Sequence, residues 1–237
     1  MLDQPAIVLT GASAGIGLSA LEALTEDAFV IAVSRTRPPV PHLNGYWVQG
    51  DLCASEVVAA EIQTFLGKHK KPLEGLIHCA VSYGGHQRHT FLETRDHEWD
   101  DVMTVNARSQ FILTTRLLAL LLKSPQAFIV ALTSDAATRP APQRIAYGCS
   151  KAASHALFTG LAAELAGSSV SVIQMVPAGQ VVTRGIRRRR PPDFAFRGYS
   201  TPDIFKQPFK SILACRGAGM NGSCIVVGEE NKELAHG

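Results

Sequence analysis

The sequence predicts an α/β protein: a doubly wound, mostly parallel sheet of about seven strands flanked by helices, forming a single domain over residues 1–237. Three observations carry this. Short apolar runs alternate with helical stretches along the whole chain, the pattern of consecutive β-α-β units. A glycine-rich turn, Gly11-Ala12-Ser13-Ala14-Gly15-Ile16-Gly17, joins the first apolar run to the first helical stretch. Finally, 237 residues suffice for one large core, and no internal repeat or linker marks a second domain.

Ala6 to Thr10, bounded by Pro5 and Gly11, reads as a buried strand leading into the glycine turn and a helix to about Leu24. Glycines there let the backbone turn tightly and approach a pyrophosphate, which then sits on the helix N-terminus. Phe29 to Val33 is the second strand, ending in Ser34-Arg35-Thr36-Arg37. An acid at this point would bind a ribose 2′-hydroxyl, and here arginines replace it, which suits a 2′-phosphate and so NADP. Arg35 is the expected contact, with Ser34 able to add its hydroxyl. Tyr46 to Gln49 is the third strand, followed by Asp51, which either meets an adenine or caps the helix Ser55 to Leu66.

Leu73 to Cys79 is the fourth strand; His78 at its end reads as a packed or capping histidine rather than a catalyst. Asp96 to Lys123 is a long helical stretch, broken near Val105-Asn106-Ala107, where the Asn106 amide either stabilises a kink or holds a water. Ala127 to Thr133 is the fifth strand, placing Ser134 at its C-terminal end, where open α/β sheets bind ligands. Tyr147 to Ala166 is a helix with Tyr147 and Lys151 on one face. An ammonium there is expected to pull the phenol pKa down from about 10 toward working pH. Val170 to Val176, a loop at about 178–200, a helix from Pro202 to Arg216 and a strand from Cys224 to Val227 complete the chain.

Composition narrows the function classes. A hydrophobic fraction of 46% with 18% charged residues is that of an ordinary globular protein, and a net charge of +3 gives no nucleic-acid footprint. The five scattered cysteines lack CxxC spacing, which argues against a disulfide framework or a metal site and for a reducing compartment. Met1 to Pro5 lacks the pattern of a secretory signal, and Phe111 to Leu122 is too short to span a bilayer. The expectation is a soluble, cytoplasmic protein.

Taken in order, these motifs resemble the short-chain dehydrogenase/reductase family over nearly the whole chain. Thr10-Gly11-x-x-x-Gly15-Ile16-Gly17 is similar to its cofactor loop, and Asp51 to its adenine-side aspartate. Asn106, Ser134, Tyr147 and Lys151 are similar to its catalytic tetrad, and Gly179 to Thr183 to its segment beside the nicotinamide. Two departures stand out: His78-Cys79-Ala80-Val81 replaces Asn-Asn-Ala-Gly, and Pro177-Ala178-Gly179 is one residue out of step. Within the family, short stretches resemble dihydropteridine reductases and the small sepiapterin- and diketone-reductase-like group.

The resemblance implies a Rossmann-type fold and hydride transfer between NADP(H) and a small carbonyl or alcohol substrate. Tyr147 would be the general acid/base, Ser134 would hold the carbonyl oxygen, Lys151 would poise Tyr147 and bind the ribose, and Asn106 would hold a water. Gly11, Ser13, Gly15, Ile16, Gly17, Arg35, Asp51, Ala80, Lys151 and Thr183 would contact the cofactor. No metal is implied. Reduction of a C=N bond and non-catalytic NADP binding are the alternatives. The run Arg184 to Arg190 is either a solvated loop or brings Arg184 or Arg187 to an anionic substrate or the cofactor diphosphate. The leucines between Phe111 and Leu122, more apolar surface than one sheet face covers, imply a homodimer or homotetramer.

Overall fold

The computed structural model describes residues 4–85, 88–228 and 233–234. Its strands are β1 Ala6–Thr10, β2 Phe29–Ser34, β3 Gly45–Gln49, β4 Leu73–His78, β5 Ala127–Leu132, β6 Val170–Pro177, β7 Cys224–Val227 and β8 Glu233–Leu234. They form one sheet in the order β3-β2-β1-β4-β5-β6-β7-β8. The first seven run parallel, as expected, and β8 adds an antiparallel edge through Cys224–Leu234 and Ile225–Glu233. Sequence reasoning missed β8 because two residues make no apolar run; only backbone pairing defines it.

The helices are α1 Gly15–Leu24, α2 Ser55–His69, α3 Asp96–Met103, α4 Ser109–Leu121, α5 Ile145–Glu164, α6 Arg184–Arg187 and α7 Lys206–Cys215. Alternation along the central strands decides which helix lies on which face. Ala6, Val8, Ile31 and Val33 point into a core with Ile62 of α2, Leu113 and Leu117 of α4 and Phe158 of α5. Ile7, Leu9, Val30 and Ala32 point the other way, onto Leu21 and Leu24 of α1 and Phe209 and Ile212 of α7. With both faces covered, β1 is buried at every residue, which explains its unbroken apolar run. Burying side chains of this size contributes about 1.5–3 kcal/mol each.

The break expected near Asn106 is a π-helical turn, Thr104–Arg108, between α3 and α4. The stretch read as one helix from Pro202 opens with a 3-10 turn, Pro202–Phe205, before α7. The leucines of α4 largely serve this chain's own core: Leu113, Leu117 and Leu121 are buried in it, and Leu118 and Leu120 pack partly against it. Phe111 and Leu122 keep the exposed apolar surface, 51% and 44% accessible. The helical period splits the run between two faces, which counting leucines overlooks. Among the described residues, no helix is long and apolar enough to cross a membrane.

At the crevice between β1 and β4 the winding of the sheet reverses, the place where open α/β sheets bind ligands. The glycine turn lies there. Gly11 and Gly15 adopt positive φ, 73° and 58°. Gly17 is required by closeness, since a Cβ on it would stand 2.2 Å from the Gly11 carbonyl oxygen. Gly17→Ala is therefore expected to destabilise the protein by at least about 1–3 kcal/mol, the usual cost of overpacking. Urea denaturation checks this; an unchanged midpoint would show that the turn yields.

Candidate active site

The site rests on α5. Ala146, Ser150, Ser154, Phe158 and Ala162 are all buried and recur every fourth residue. That stripe meets residues spaced the same way on the π turn and α4. Asn106 Nδ2 donates to Ser150 Oγ at 3.0 Å, and Ser154 Oγ donates to Gln110 Oε1 at 2.6 Å. One turn further, His78 Nε2 lies 3.0 Å from Thr114 Oγ1, with its ring 5.4 Å from that of Phe158. Small side chains let the helices approach closely, and the hydrogen bonds satisfy most of what burial would otherwise penalise, Gln110 Nε2 being left without a partner among the described residues. Burial lowers the His78 pKa to about 3, so the ring is neutral and structural, as expected.

Tyr147 and Lys151 flank this stripe and line a cleft shared with Ile16, Ser134 and Thr183. The cleft volume is about 160 Å³. Lys151 is 3% accessible; its Nζ donates to the Leu132 carbonyl at 2.8 Å and lies 5.9 Å from the centre of the Tyr147 ring. Burial brings its pKa down to about 8. Ser134 leaves β5 as the cap of a 3-10 turn, accepting from the Ala136 N–H and donating to the Asp135 carboxylate at 2.9 Å.

The expected depression of the Tyr147 phenol is not found. Burial pushes it above the ordinary range and Tyr83 adds to the rise, outweighing a hydrogen bond with Ser134 and the charge of Arg144. Lys151 does not offset this, because it is itself desolvated and bonded to a carbonyl. The phenol is thus fully protonated at neutral pH.

Asn106 is wholly buried and clasps Ser82: Oδ1 accepts from its N–H and Nδ2 donates to its carbonyl, both at 2.7 Å. This is the kink-stabilising arrangement; both amide N–H groups are engaged, the second on Ser150. Ala80 donates to Thr10 Oγ1 at 3.3 Å, and its Cα would meet a Cβ on Gly11 at 2.7 Å, so the ends of β1 and β4 close on each other. Thr183 caps α6 through the Ile186 N–H, and its Cγ2 would lie 3.1 Å from a Cβ on Gly15.

At the far end of the crevice, Asp51 accepts from the Cys53 N–H, capping the 3-10 turn Leu52–Ala54 that precedes α2. Burial and Asp51 raise the Cys53 thiol, and Arg35 pulls it back, which puts the exposed Arg35 guanidinium beside this turn. Ser34 is not available as expected. Its hydroxyl donates to the Thr36 carbonyl at 2.8 Å and accepts from Trp47 Nε1 at 3.1 Å, because β3 packs a tryptophan beside it.

These residues fit a dinucleotide. The N-cap of α1, Ala14, makes no side-chain bond and the first turn carries no acid, so the backbone N–H groups are open to a diphosphate. Ser13 stands in the turn itself. Lys151 has further N–H donors beyond its one carbonyl partner, and the buried Thr133 hydroxyl, also on the cleft wall, has no partner.

The arginine loop meets the solvated reading in part, with Arg184, Arg187 and Arg188 exposed, and departs from it at Arg189. Arg184 is exposed, and Arg187 lies over the Phe196 ring at 5.0 Å. Arg189 instead folds back, 3.6 Å from the centre of the Tyr83 ring, which stacks on Tyr147 at 4.9 Å and 18°. Within a run of like residues, only tertiary packing selects which guanidinium reaches the site. Among the described residues no cluster of metal-ligating side chains occurs.

The short chain dehydrogenase family model matches residues 5–191. An uncharacterized oxidoreductase of Schizosaccharomyces pombe is 34% identical over 68% of this chain and 66% of its own. A short chain dehydrogenase from Salmonella enterica superposes with a TM-score of 0.82 at 26% identity, covering 94% of this chain and 95% of that one. A 4-hydroxyisoleucine dehydrogenase solved with NADH shares the fold at TM-score 0.79 and 23% identity, over 94% and 96% of the two chains.

The Lys151 pKa, about 8 against a model-peptide 10.5, sets a pH signature. A base depressed on folding opposes stability while both states are protonated, and that cost fades as pH rises from the folded value to the unfolded one. Lys151→Met is expected to raise the melting temperature near neutral pH, with the gain shrinking between pH 8 and 10.5. A pH-independent difference in thermal melts would contradict the burial argument.

Proposed function

The chain belongs to the short chain dehydrogenase family, and from that premise we propose that it is an NADP(H)-dependent oxidoreductase acting on a carbonyl/alcohol pair. The observation that carries the proposal is the convergence of Tyr147, Ser134 and Lys151 on one cleft at the C-terminal ends of the strands. The whole chain, 1–237, acts as one catalytic domain, with the loop at 178–200 shaping the substrate side.

The chemistry that NADP(H) would supply when bound is hydride transfer. The glycine turn and the α1 N-terminus would hold its diphosphate, Lys151 and Thr183 the nicotinamide end, and Asp51 the adenine end. Tyr147, protonated at neutral pH, gives its proton to the carbonyl oxygen as that oxygen gains charge. Ser134 turns its hydroxyl from Asp135 to the same oxygen and fixes it against the phenol. Asn106 acts by holding the Ser82 loop and the π turn at the edge of the site. Tyr83, stacked on the phenol, keeps the ring in place and water away from it. A phenol raised by burial is held in the acid form, the form that reduction uses. The exposed Phe111 on α4 and Leu122 at its C-terminal cap support assembly as a homo-oligomer through this face.

The choice of NADP rests on Arg35. The fold by itself does not select NADP, since a neighbour of this fold was solved with NADH. Here a free guanidinium beside the Asp51 turn takes the place of an acid, and a charge-assisted contact of about 1.5–3 kcal/mol favours a 2′-phosphate roughly tenfold to a hundredfold.

Two measurements test this reading. Tyr147→Phe is expected to lower turnover of a reducible carbonyl by more than about a hundredfold while NADPH binding, read by fluorescence, is retained. Activity within a few-fold of the parent would move the proton donor elsewhere. Arg35→Asp is expected to lose or invert a kcat/KM preference for NADPH over NADH; a parent enzyme without that preference would remove the NADP assignment.

A further inference from the structure

Beside the catalytic cleft lies a second, smaller chamber of about 50 Å³, lined by Tyr83, Arg88, Glu98, Arg144, Tyr147 and Arg189 among others. One water needs only about 10–15 Å³ of such volume, so the chamber admits a group of several heavy atoms. Tyr83, Tyr147 and Arg144 line both spaces, which makes them one continuous site. The electrostatics of the chamber are unbalanced. Arg88, Arg144 and Arg189 lie close enough that the Arg144 guanidinium is lowered first by burial and then by each of the other two.

Among the described residues, none of the three makes an ion pair with an acid. Arg189 Nη2 is buried with no hydrogen-bond partner. The acid on the wall, Glu98, is already engaged by His89 at 2.8 Å, and Asp135, in the neighbouring cleft, accepts from Ser134. Three guanidinium groups drawn together beside a reacting phenol, one with a buried unmet donor, raise the energy of the empty chamber. A ligand oxyanion relieves that cost.

We infer that Arg144 and Arg189, with Arg88 at the rim, form a subsite for an anionic oxygen group carried by the substrate, a carboxylate or a phosphate. The inference rests on the oxidoreductase reading and names its substrate class: carbonyl compounds bearing an oxyanion within a few bonds of the reducible carbon. The Tyr83 ring, between Arg189 and Tyr147, sets the spacing between anion and carbonyl. Guanidinium forks suit both anions, and a neutral analogue leaves the Arg189 Nη2 donor buried and unmet, so rejection of neutral substrates follows from the same geometry.

The test pairs oxo acids with their methyl esters, in which hydride chemistry is the same and only the charge differs. The intact enzyme should favour the acids in kcat/KM. In Arg189→Gln and, separately, Arg144→Gln, the acid-to-ester ratio should fall at least tenfold, chiefly through KM for the acid. Because the ratio is read, any general disturbance of Tyr147 through Tyr83 cancels. Non-reducible probes separate the two readings: glutarate and inorganic phosphate should raise the melting temperature of the parent, with whichever binds tighter naming the anion, and neither should do so in the variants. If no carbonyl of either series is turned over while the probes still bind through the arginines, the oxidoreductase reading fails and the anion subsite stands. If neither probe binds, or both bind the variants as well as the parent, or acids and esters fall equally, the subsite is overturned.

Discussion

The site depends on one buried contact, the seam between α5 and the segment running from the π turn into α4. Asn106, Gln110 and Thr114 recur every fourth residue on one side, and Ser150, Ser154 and Phe158 on the other. Because the spacing is the same, the rungs reinforce one another, and neither helix can slide or roll without breaking the two buried hydrogen bonds, Asn106–Ser150 and Ser154–Gln110, together. The π turn is what brings Asn106 into phase with this seam. Tyr147 and Lys151 sit beside the seam, so their positions follow from it rather than from any contact with each other.

Desolvation dominates the chemistry that results. In water an ammonium near a phenol lowers the phenol pKa, but here both groups are inside, and burial disfavours the charged form of each. Lys151 falls to about 8 and the Tyr147 phenol rises. The pair is poised as a neutral acid beside an amine that titrates just above neutrality. In the proposed reaction, such a pair would give up a proton as negative charge develops on a carbonyl oxygen beside it. Charge already present in the neighbouring chamber, on Arg144 and Arg189, bears on the same phenol from the other side.

The loop after β6 shows how packing sorts chemically identical residues. Arg184 faces water, Arg187 and Arg190 pack on Phe196 and Phe194, each at 5.0 Å, and Arg189 alone turns to Tyr83. Arg190 also donates to the Tyr199 hydroxyl at 3.2 Å, tying the loop to itself. Aromatic faces on both sides of the loop accept guanidinium groups at little desolvation cost. Packing of the arginines on these rings leaves Arg189 to line the smaller chamber, a placement that the run of like residues does not show in one dimension.

The sequence by itself determined the parallel sheet, the glycine turn, the interruption at Asn106 and the elements that bear Ser134, Tyr147 and Lys151. Those features are local: apolar period, glycine placement and spacing along a helix are written in consecutive residues. Tertiary structure alone decided the rest. The added edge strand exists only through its pairing with β7. Ser34 is withdrawn from the cofactor side by Trp47, thirteen residues away, and the leucines of α4 divide between core and surface by where α2 and the sheet happen to lie. The direction of the Tyr147 shift and the choice of Arg189 depend on which groups are buried together. Burial is a property of three-dimensional neighbours, and no spacing along the chain encodes it.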